Sequence, residues 1–376
     1  MIRSIPAMAF FVLVYTTSLA QMTMGQTDWL LLDADRDDRE VPCMVWYPAE
    51  EAGSETTPLP GPFPTVVFAH GFVMGPDDYE GFAQGMVDAG YVFVSLGTEQ
   101  GFAPDHGMYG LDVAFVANSI AGGLSNGVLS GTLNTRAAIA GHSMGGGATW
   151  LAAAEQPTID AVIALAPAET SPSAIAVGSD MNAPVLVISG SEDAVTPPST
   201  QHIPLYESTV NAPCRAFVSI ENGGHCGFAD PGTLCDFGEL GFNGLAASEQ
   251  LEISLGLTVP WLDAFLKDDP EGLDVLDALA SEANVTLELA CALQVFETAI
   301  AGLDVHPNPG RGGGYIRNNS LQKANLEVYN ATGQLEYAEP NLSPGNYVEL
   351  RLDPGLYFIK MGYEGREIQS ATWIVY

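Results

Sequence analysis

One short segment has the residue types and spacing of a nucleophile. Gly141-His142-Ser143-Met144-Gly145 follows a strand-like run at Ala137–Ala140 and precedes the helix-forming residues Ala148–Ala154. In a tight turn from strand to helix, the two glycines omit side chains that would clash, and the serine hydroxyl is held in a strained position. The start of a helix also stabilises developing negative charge. The segment therefore predicts Ser143 as a nucleophile for acyl transfer.

A serine hydroxyl needs a base, and the base needs a carboxylate that orients it. In chains with this turn, the acid follows the serine and the histidine follows the acid. Asp193 lies just after the strand-like run Val185–Ser189, at the end of a strand where open sheets place functional groups. We predict Asp193 as the acid, with Glu192 as its neighbouring competitor.

The predicted base is His225. It follows the strand-like run Ala216–Ile220 in the loop Asn222-Gly223-Gly224-His225, whose glycines allow the loop to carry an imidazole toward the serine. The remaining histidines lie in the serine turn, upstream loops or the tail, and are less suitable: His142, His106, His202 and His306.

A second strand ends in a motif typical of an oxyanion-binding loop. Val66-Val67-Phe68-Ala69 runs directly into His70-Gly71-Phe72. This is the position from which such folds contribute one backbone N–H to a developing oxyanion. We predict the N–H groups of Phe72 and Met144 as the donors. His70 is then expected to brace the loop and not to act as a base.

The elements that must position these residues alternate between strand and helix. Short β-branched runs typical of buried strands occupy Thr65–Ala69, Tyr91–Leu96, Ala137–Ala140, Ala161–Ala166, Val185–Ser189 and Ala216–Ile220. Helical spacing or composition occurs at Tyr79–Ala89, Tyr109–Ala121, Gly146–Ala154 and Leu257–Leu266. The alternation predicts an α/β-hydrolase architecture, a mostly parallel sheet flanked by helices.

The last fifth of the chain differs from the rest. Half of the 12 lysines and arginines lie beyond residue 301, and prolines and a glycine run mark the change. Short alternating runs there predict a small all-β sandwich. We therefore expect a signal peptide at 1–20, a catalytic domain at 21–270, a helical and acidic connector at 271–302, and the small domain at 303–376.

The first 20 residues have the pattern of a secretory signal peptide. A basic residue, Arg3, precedes an apolar run, and small residues end at Ala20. The run is shorter than the ~20 residues of a membrane span, so a transmembrane anchor is the weaker alternative. The net charge of −34 argues against nucleic acid and anionic membrane surfaces as partners.

Export would favour disulfide bonds among the five cysteines. Sequence alone does not fix their pairing. Cys226 and Cys235 bracket a short loop beside the predicted base, and they are the preferred pair. A zinc site is the rival interpretation, but the usual CxxC and HxxxH spacings are absent, so no metal is expected.

Residues 60 to 267 resemble the bacterial polyester hydrolase and cutinase branch of the α/β hydrolases, and more loosely the dienelactone hydrolases and chlorophyllases. The resemblance is carried by the extended turn Gly141–Gly147 and by Asn134–Arg136, Glu192–Pro197, His202–Tyr206, Asn222–His225 and Trp261–Phe265. It implies the triad of Ser143, Asp193 and His225, oxyanion donors at Phe72 and Met144, and ester hydrolysis without a cofactor.

The same resemblance implies an acyl subsite near Phe72, Met144, Val195 and Ala168. Two of these positions depart from the family. Ala168 stands where the family has a tryptophan that flanks aromatic acyl groups, and Phe72 stands where tyrosine is common. The missing stacking wall is worth about 0.5–1.5 kcal/mol beyond burial, which weakens the expectation of activity on aromatic polyesters.

The tail resembles the C-terminal sorting domain of the type IX secretion system. The likeness covers residues 303 to 376 and is carried by Val305–Pro309, Leu326–Gly333 and Leu352–Tyr357. It implies passage from the periplasm across the outer membrane, with the cargo either released or attached to the cell surface. A carbohydrate- or polymer-binding module is the alternative, because the strand pattern fits both.

The sequence thus predicts a secreted serine carboxylic-ester hydrolase. Its expected partners are small or polymeric ester substrates and, through the tail, the type IX secretion machinery, and we expect a monomer. A serine peptidase or amidase of the same fold is one alternative. A non-catalytic surface-binding protein is another, because fold does not imply function.

Overall fold

A computed structural model of the chain describes residues 22–269, 271–282, 284–291, 303–306, 314–318, 323–353, 355–363 and 366–375. The chain divides into two compact units, Met1–Cys291 and Ala292–Tyr376. Several predicted features lie outside the described residues: the signal peptide at 1–20, the connector beyond residue 291, and the proline and glycine segment at 307–313.

The first unit is built on a ten-stranded sheet with the order β10-β9-β8-β7-β6-β4-β5-β2-β1-β3. Its strands are β1 Met24–Asp33, β2 Arg39–Pro48, β3 Gly53–Ser54, β4 Phe63–Ala69, β5 Val92–Leu96, β6 Leu133–His142, β7 Ala161–Leu165, β8 Val185–Gly190, β9 Cys214–Ile220 and β10 Val285–Cys291. Strands β4 to β9 form a continuous parallel block. The antiparallel strands β2 and β10 flank that block.

Helices cover both faces of this sheet. They are α1 Glu80–Asp88, α2 His106–Ala121, α3 Met144–Ala154, α4 Ala174–Val177, α5 His202–Ser208, α6 Ala247–Leu266 and α7 Glu271–Glu282. Successive residues of β4 point to opposite faces, so Val66 and Val67 belong to different buried clusters. One cluster includes residues from α2 to α5, and the other includes residues from α1, α6 and α7. The predicted α/β-hydrolase fold is confirmed.

The structure also contains elements that the sequence did not predict. β1 and β2 extend the sheet beyond β5, and α6 begins at Ala247, well before the predicted helix Leu257–Leu266. Residues 285–291, which were placed in the connector 271–302, form β10 and pair with β9. A disulfide between Cys214 and Cys291 joins these two strands.

The second unit is all β. Its strands are β11 Leu303–His306, β12 Gly314–Asn318, β13 Ala324–Asn330, β14 Leu335–Leu342, β15 Tyr347–Leu350, β16 Gly355–Tyr363 and β17 Arg366–Val375. They form antiparallel sheets of three strands, β11-β12-β15, and of four, β14-β13-β16-β17. Ile316 and Leu350 from one sheet share a core with Leu326, Val328 and Ile359 from the other. The predicted all-β sandwich is present.

Across the described ranges, the structure contains no helix with the length and apolar character needed to cross a bilayer.

A buried carboxylate ties the N-terminal strands to helix α2. Asp112 has no exposed side-chain surface and accepts hydrogen bonds from Arg39 at 2.8 and 2.7 Å, while Arg36 lies 2.7 Å away. Arg39 also contacts Glu99, whose other oxygen accepts the N–H of Asp105 at the start of α2. The network therefore fixes the loop between β5 and α2.

Substitution of Asp112 by Asn should lower the free energy of unfolding by about 3 kcal/mol, because it removes the charge that compensates two partly buried arginines. Urea denaturation of both proteins would measure the difference. Asp28→Asn, at an exposed position on β1, is the control and should change stability by less than about 0.5 kcal/mol. Equal stabilities of the Asp112 and Asp28 variants would contradict a structural role for the network.

Candidate active site

Ser143 occupies the sharp turn between β6 and α3. Its backbone has φ 56° and ψ −118°, which residues other than glycine rarely adopt. The Ser143 N–H donates to the Leu165 carbonyl at 2.9 Å, which ties the turn to β7. A Cβ atom on Gly141 would lie 2.3 Å from the Gly145 oxygen, and one on Gly145 would lie 2.0 Å from the Ala69 oxygen. The turn therefore requires glycine at both positions.

The imidazole of His225 lies between the serine and the predicted acid. Its Nε2 atom is 3.0 Å from the Ser143 hydroxyl oxygen, and its Nδ1 atom is 2.7 Å from an oxygen of Asp193. With the proton on Nδ1 donated to the carboxylate, Nε2 is free to accept the proton of the serine. The structure thus brings together the three residues that the sequence singled out, in the order required for nucleophile activation.

Asp193 is buried in the loop after β8 and is surrounded by donors. One carboxylate oxygen accepts the N–H groups of Val195 and Thr196, each at 2.8 Å. The other lies 2.7 Å from His225 Nδ1 and 2.9 Å from the Thr196 hydroxyl. Burial alone would raise the pKa of Asp193, but the hydrogen bond and charge of His225 together with the Thr196 N–H lower it below the usual value. The carboxylate is therefore ionised at neutral pH.

Two further side chains complete the surroundings of the acid. The Thr196 hydroxyl lies 2.9 Å from both His225 Nδ1 and His202 Nε2. His202 has no exposed surface, and its Nδ1 atom lies 2.7 Å from the Ser189 hydroxyl. Burial lowers the pKa of His202 to about 4 despite the nearby Asp193 charge. His202 is therefore neutral at pH 7.

His142, inside the serine turn, joins two loops of the site. Its Nε2–H donates to the carbonyl of His225 at 3.0 Å, and its Nδ1 atom lies 2.8 Å from the Tyr79 hydroxyl. The same hydroxyl accepts the N–H of Gly71 at 2.9 Å. Burial holds the pKa of His142 well below its ordinary value. A buried, neutral histidine thus connects the loop of the base to the predicted oxyanion loop.

The predicted oxyanion donors lie in the expected elements. Phe72 follows the end of β4, and Met144 is the first residue of α3. Within residues 22–269, neither N–H takes part in a backbone turn, loop or cap hydrogen bond. The two ring nitrogens of His70 lie 2.8 Å from the carbonyl oxygens of Gly71 and Thr98, as expected for a residue that braces this loop.

Two of the predicted acyl-subsite residues lie at the serine turn: Met144 follows Ser143 directly, and Ala168 contacts the Ser143 backbone. The Ala168 N–H donates to the Ser143 carbonyl at 2.8 Å, and Val195, 41% exposed, follows Asp193. Met144 is buried, whereas Phe72 is 47% exposed and packs edge-on against Phe102. Phe72 and Val195 are thus exposed apolar side chains in the loops that follow β4 and β8.

The loop that follows His225 is held to it by a disulfide and hydrogen bonds. Cys226 and Cys235 form the disulfide that the sequence favoured, and the Glu239 carboxylate accepts the N–H groups of His225 and Cys226. The fifth cysteine, Cys43, is a buried thiol whose pKa is raised by burial to about 12, so it stays protonated.

One group of side chains in the described part of the chain could in principle ligate a metal: His142, His225 and Cys235. The Cys235 sulfur is already in a disulfide, and the ring nitrogens of both histidines have hydrogen-bond partners within the protein. This group offers no ligand set for an ion.

Sequence reasoning missed the contacts that four residues make with the triad, Thr196, His202, His142 and Glu239, and that of Tyr79 with His142. The position of Thr196, three residues after the acid, is a usable clue, since such a hydroxyl can return to the carboxylate within one turn. His202 and Glu239 carry no comparable local pattern, because their partners lie 6 to 14 residues away along the chain and are reached only when the loops after β8 and β9 fold back.

Comparison with known families agrees with this geometry. The profile of the PETase family, described as PET hydrolase-like, matches residues 43–238, just over half of the chain. The match includes Ser143, Asp193 and His225. It contains neither the second unit nor the last two helices of the first.

Curated relatives are similar over shorter stretches. A bis(hydroxyethyl) terephthalate hydrolase from Streptomyces coelicolor is 26% identical over 186 residues, 48% of this chain and 54% of its own length. Cutinase est1 from Thermobifida alba is 33% identical over 91 residues, 24% of this chain and 29% of its own length. The chain therefore spans between about three tenths and about half of the length of these relatives. Their names give no support to the peptidase or binding-protein alternatives.

Acid should weaken the fold through His202. Its pKa is about 4 in the folded protein and 6.5 ordinarily, so the unfolded chain binds more protons between these values. Stability is therefore fully present above pH 6.5 and is lost as the pH falls toward 4, by about 3 kcal/mol from this residue. Guanidinium denaturation at pH 7.5, 5.5 and 4.5 would measure the loss.

The control for this prediction is His202→Gln, which keeps polar contacts but does not titrate. Its stability should fall less steeply over the same pH range, by up to about 3 kcal/mol in total. Parallel pH dependences in the two proteins would show that His202 does not contribute.

Proposed function

Because this chain belongs to the PET hydrolase-like family, we propose that it is a serine carboxylic-ester hydrolase that works through an acyl-enzyme. The observation that carries the proposal is the hydrogen-bonded series Ser143, His225, Asp193, with contacts of 3.0 and 2.7 Å. Such a series activates a serine that is otherwise a weak nucleophile.

In the proposed acylation step, His225 Nε2 takes the proton of Ser143 as the serine oxygen attacks the ester carbonyl. The carbonyl oxygen becomes an oxyanion, which the N–H groups of Phe72 and Met144 would bind. Donors of this kind are each worth about 3 kcal/mol in the transition state. Asp193 stabilises the imidazolium, which then returns its proton to the departing alcohol.

In the deacylation step, His225 takes a proton from water, and the resulting hydroxide attacks the acyl-enzyme. The same oxyanion donors serve again, and the proton returns to the Ser143 oxygen as the acid leaves. Asp193 keeps its charge throughout, which its lowered pKa favours. All these atoms come from the chain, the ester and water, so the proposed steps use no cofactor.

For substrates we propose small esters and polymeric esters. The exposed side chains of Phe72 and Val195 favour an apolar acyl group. At Ala168 the site has a methyl group where its resemblance to polyester hydrolases implies a tryptophan. We therefore propose that aliphatic acyl groups are hydrolysed faster than aromatic ones.

We further propose that the protein is exported. The pattern of the first 20 residues supports a signal peptide, and the all-β architecture of the second unit supports the resemblance of residues 303–376 to a type IX sorting domain. The mature enzyme would be a monomer at the cell surface or in the medium.

The first test is hydrolysis of 4-nitrophenyl esters from acetate to decanoate. The unsubstituted protein should be active, and Ser143→Ala should lower kcat by at least about 10⁴-fold, because the nucleophile is lost. An unchanged free energy of unfolding would show that the variant is folded. Activity that survives in Ser143→Ala would contradict the proposed mechanism.

Export is tested in a bacterial host that has a type IX system. The full chain should reach the cell surface or medium, whereas a chain that ends at residue 302 should remain in the periplasm with its esterase activity intact. A chain lacking residues 1–20 should stay in the cytoplasm. Equal release of the full and shortened chains would contradict a sorting role for the second unit.

A further inference from the structure

The hydroxyl of Thr196 is unusually crowded with polar atoms. It lies 2.9 Å from an Asp193 oxygen, 2.9 Å from His225 Nδ1, 2.9 Å from His202 Nε2 and 3.2 Å from the Ala166 carbonyl oxygen. A hydroxyl has one proton and two lone pairs, so it can donate to only one of these neighbours. Which neighbour receives the proton depends on the tautomers of the two histidines.

His225 is not the acceptor. Its Nδ1 atom lies 2.7 Å from the Asp193 carboxylate, which can only accept, so Nδ1 carries a proton. The same tautomer leaves Nε2 unprotonated toward Ser143, as base catalysis requires. The Thr196 proton therefore goes to Asp193, to Ala166 or to His202.

The tautomer of His202 decides among these. Its Nε2 atom is 3.5 Å from the Asp193 carboxylate oxygen as well as 2.9 Å from Thr196. A lone pair on Nε2 would face the negative charge, whereas an N–H there is attracted to it. With the proton on Nε2, Nδ1 accepts from the Ser189 hydroxyl 2.7 Å away. Each polar atom in this series then has a partner of the correct kind.

We propose that His202 and Thr196 are positioning residues for the triad acid, arranged as Ser189 O–H to His202, His202 Nε2–H to Thr196, and Thr196 O–H to Asp193. Through this series, His202 directs the threonine proton onto the same oxygen that receives His225. The inference rests on the proposed esterase function and extends it to two residues that do not touch the substrate.

The physical gain is a second donor on the catalytic oxygen of Asp193. The backbone N–H groups of Val195 and Thr196 serve the other oxygen and hold the carboxylate in one plane. Without the threonine donor, the catalytic oxygen keeps only His225 in a buried setting, where an under-solvated charge shifts or takes a proton. Misplacement of the acid then misorients the imidazole and slows both proton transfers.

Kinetics of 4-nitrophenyl acetate hydrolysis would test this series. Thr196→Val removes the hydroxyl at nearly constant shape and should lower kcat on the order of tenfold, with KM within about twofold. Thr196→Ser restores the hydroxyl and should stay within about threefold of the unsubstituted kcat. His202→Leu should resemble Thr196→Val, whereas His202→Gln, whose amide N–H can replace Nε2–H, should retain most activity.

The double variant Thr196→Val/His202→Leu distinguishes a series from two independent contacts. If His202 acts through Thr196, the double variant should be no slower than Thr196→Val alone. Thr209→Val is the matched control, because Thr209 is also fully buried and its hydroxyl bonds only a backbone carbonyl, that of Tyr206. It should leave kcat unchanged.

Three results would overturn the inference: kcat within twofold of the unsubstituted protein in both single variants, losses that multiply in the double variant, or an equal loss in Thr209→Val. If His202→Leu does not fold, Thr196→Val and Thr196→Ser still show whether kcat depends on the Thr196 hydroxyl. His202→Gln then shows whether an amide donor in place of the His202 Nε2–H preserves kcat. A protein without Ser143-dependent hydrolysis would overturn the proposed function itself, whereas an active protein with unaffected variants would overturn only this inference.

Discussion

The buried negative charge of Asp193 determines how the rest of the site is arranged. The carboxylate of Asp193 is almost entirely removed from water, and such a charge is stable only when hydrogen-bond donors replace its hydration. The protein supplies two backbone N–H groups, a threonine hydroxyl and the imidazole of His225. Because one of these donors is the base, satisfying the charge and orienting the base are the same requirement.

The donors meet because the parallel block of the sheet places loop ends together. Ser143, Asp193 and His225 follow β6, β8 and β9, whose carboxyl ends share one edge of the sheet. The serine turn can approach this edge only because Gly145 lies against the backbone of β4 without a side chain. Close packing of backbone on backbone therefore fixes the nucleophile, while hydrogen bonds fix its two partners.

The parts of this arrangement that are local in sequence could be predicted. The parallel strands are continuous β-branched runs, and the serine turn is a contiguous motif, so both are visible without a structure. Strands β1 and β2 escaped prediction because neither is a continuous run of β-branched residues, and Pro42 interrupts β2. The alternating burial along β1 is itself a strand signal, which a search for continuous apolar runs does not detect. The first half of α6 escaped because its polar and acidic residues resemble a loop. Likewise, the contacts of His202 and Glu239 depend on how the loops after β8 and β9 fold back on themselves, and no local pattern encodes them.

Another buried histidine, His142, also fixes the site through hydrogen bonds. A series of hydrogen bonds runs from the Gly71 N–H through Tyr79 and His142 to the carbonyl of His225. The Gly71 N–H can only donate and the carbonyl can only accept, so the direction of each hydrogen bond is fixed. The series holds the loop that precedes Phe72 and the loop that carries the base against one side chain. An apolar residue at position 142 would leave the Tyr79 and His225 groups without this partner in a dry interior. The neutral imidazole, with one donor and one acceptor on opposite sides of a rigid ring, is suited to link two loops whose relative position determines where an oxyanion and a proton can be received.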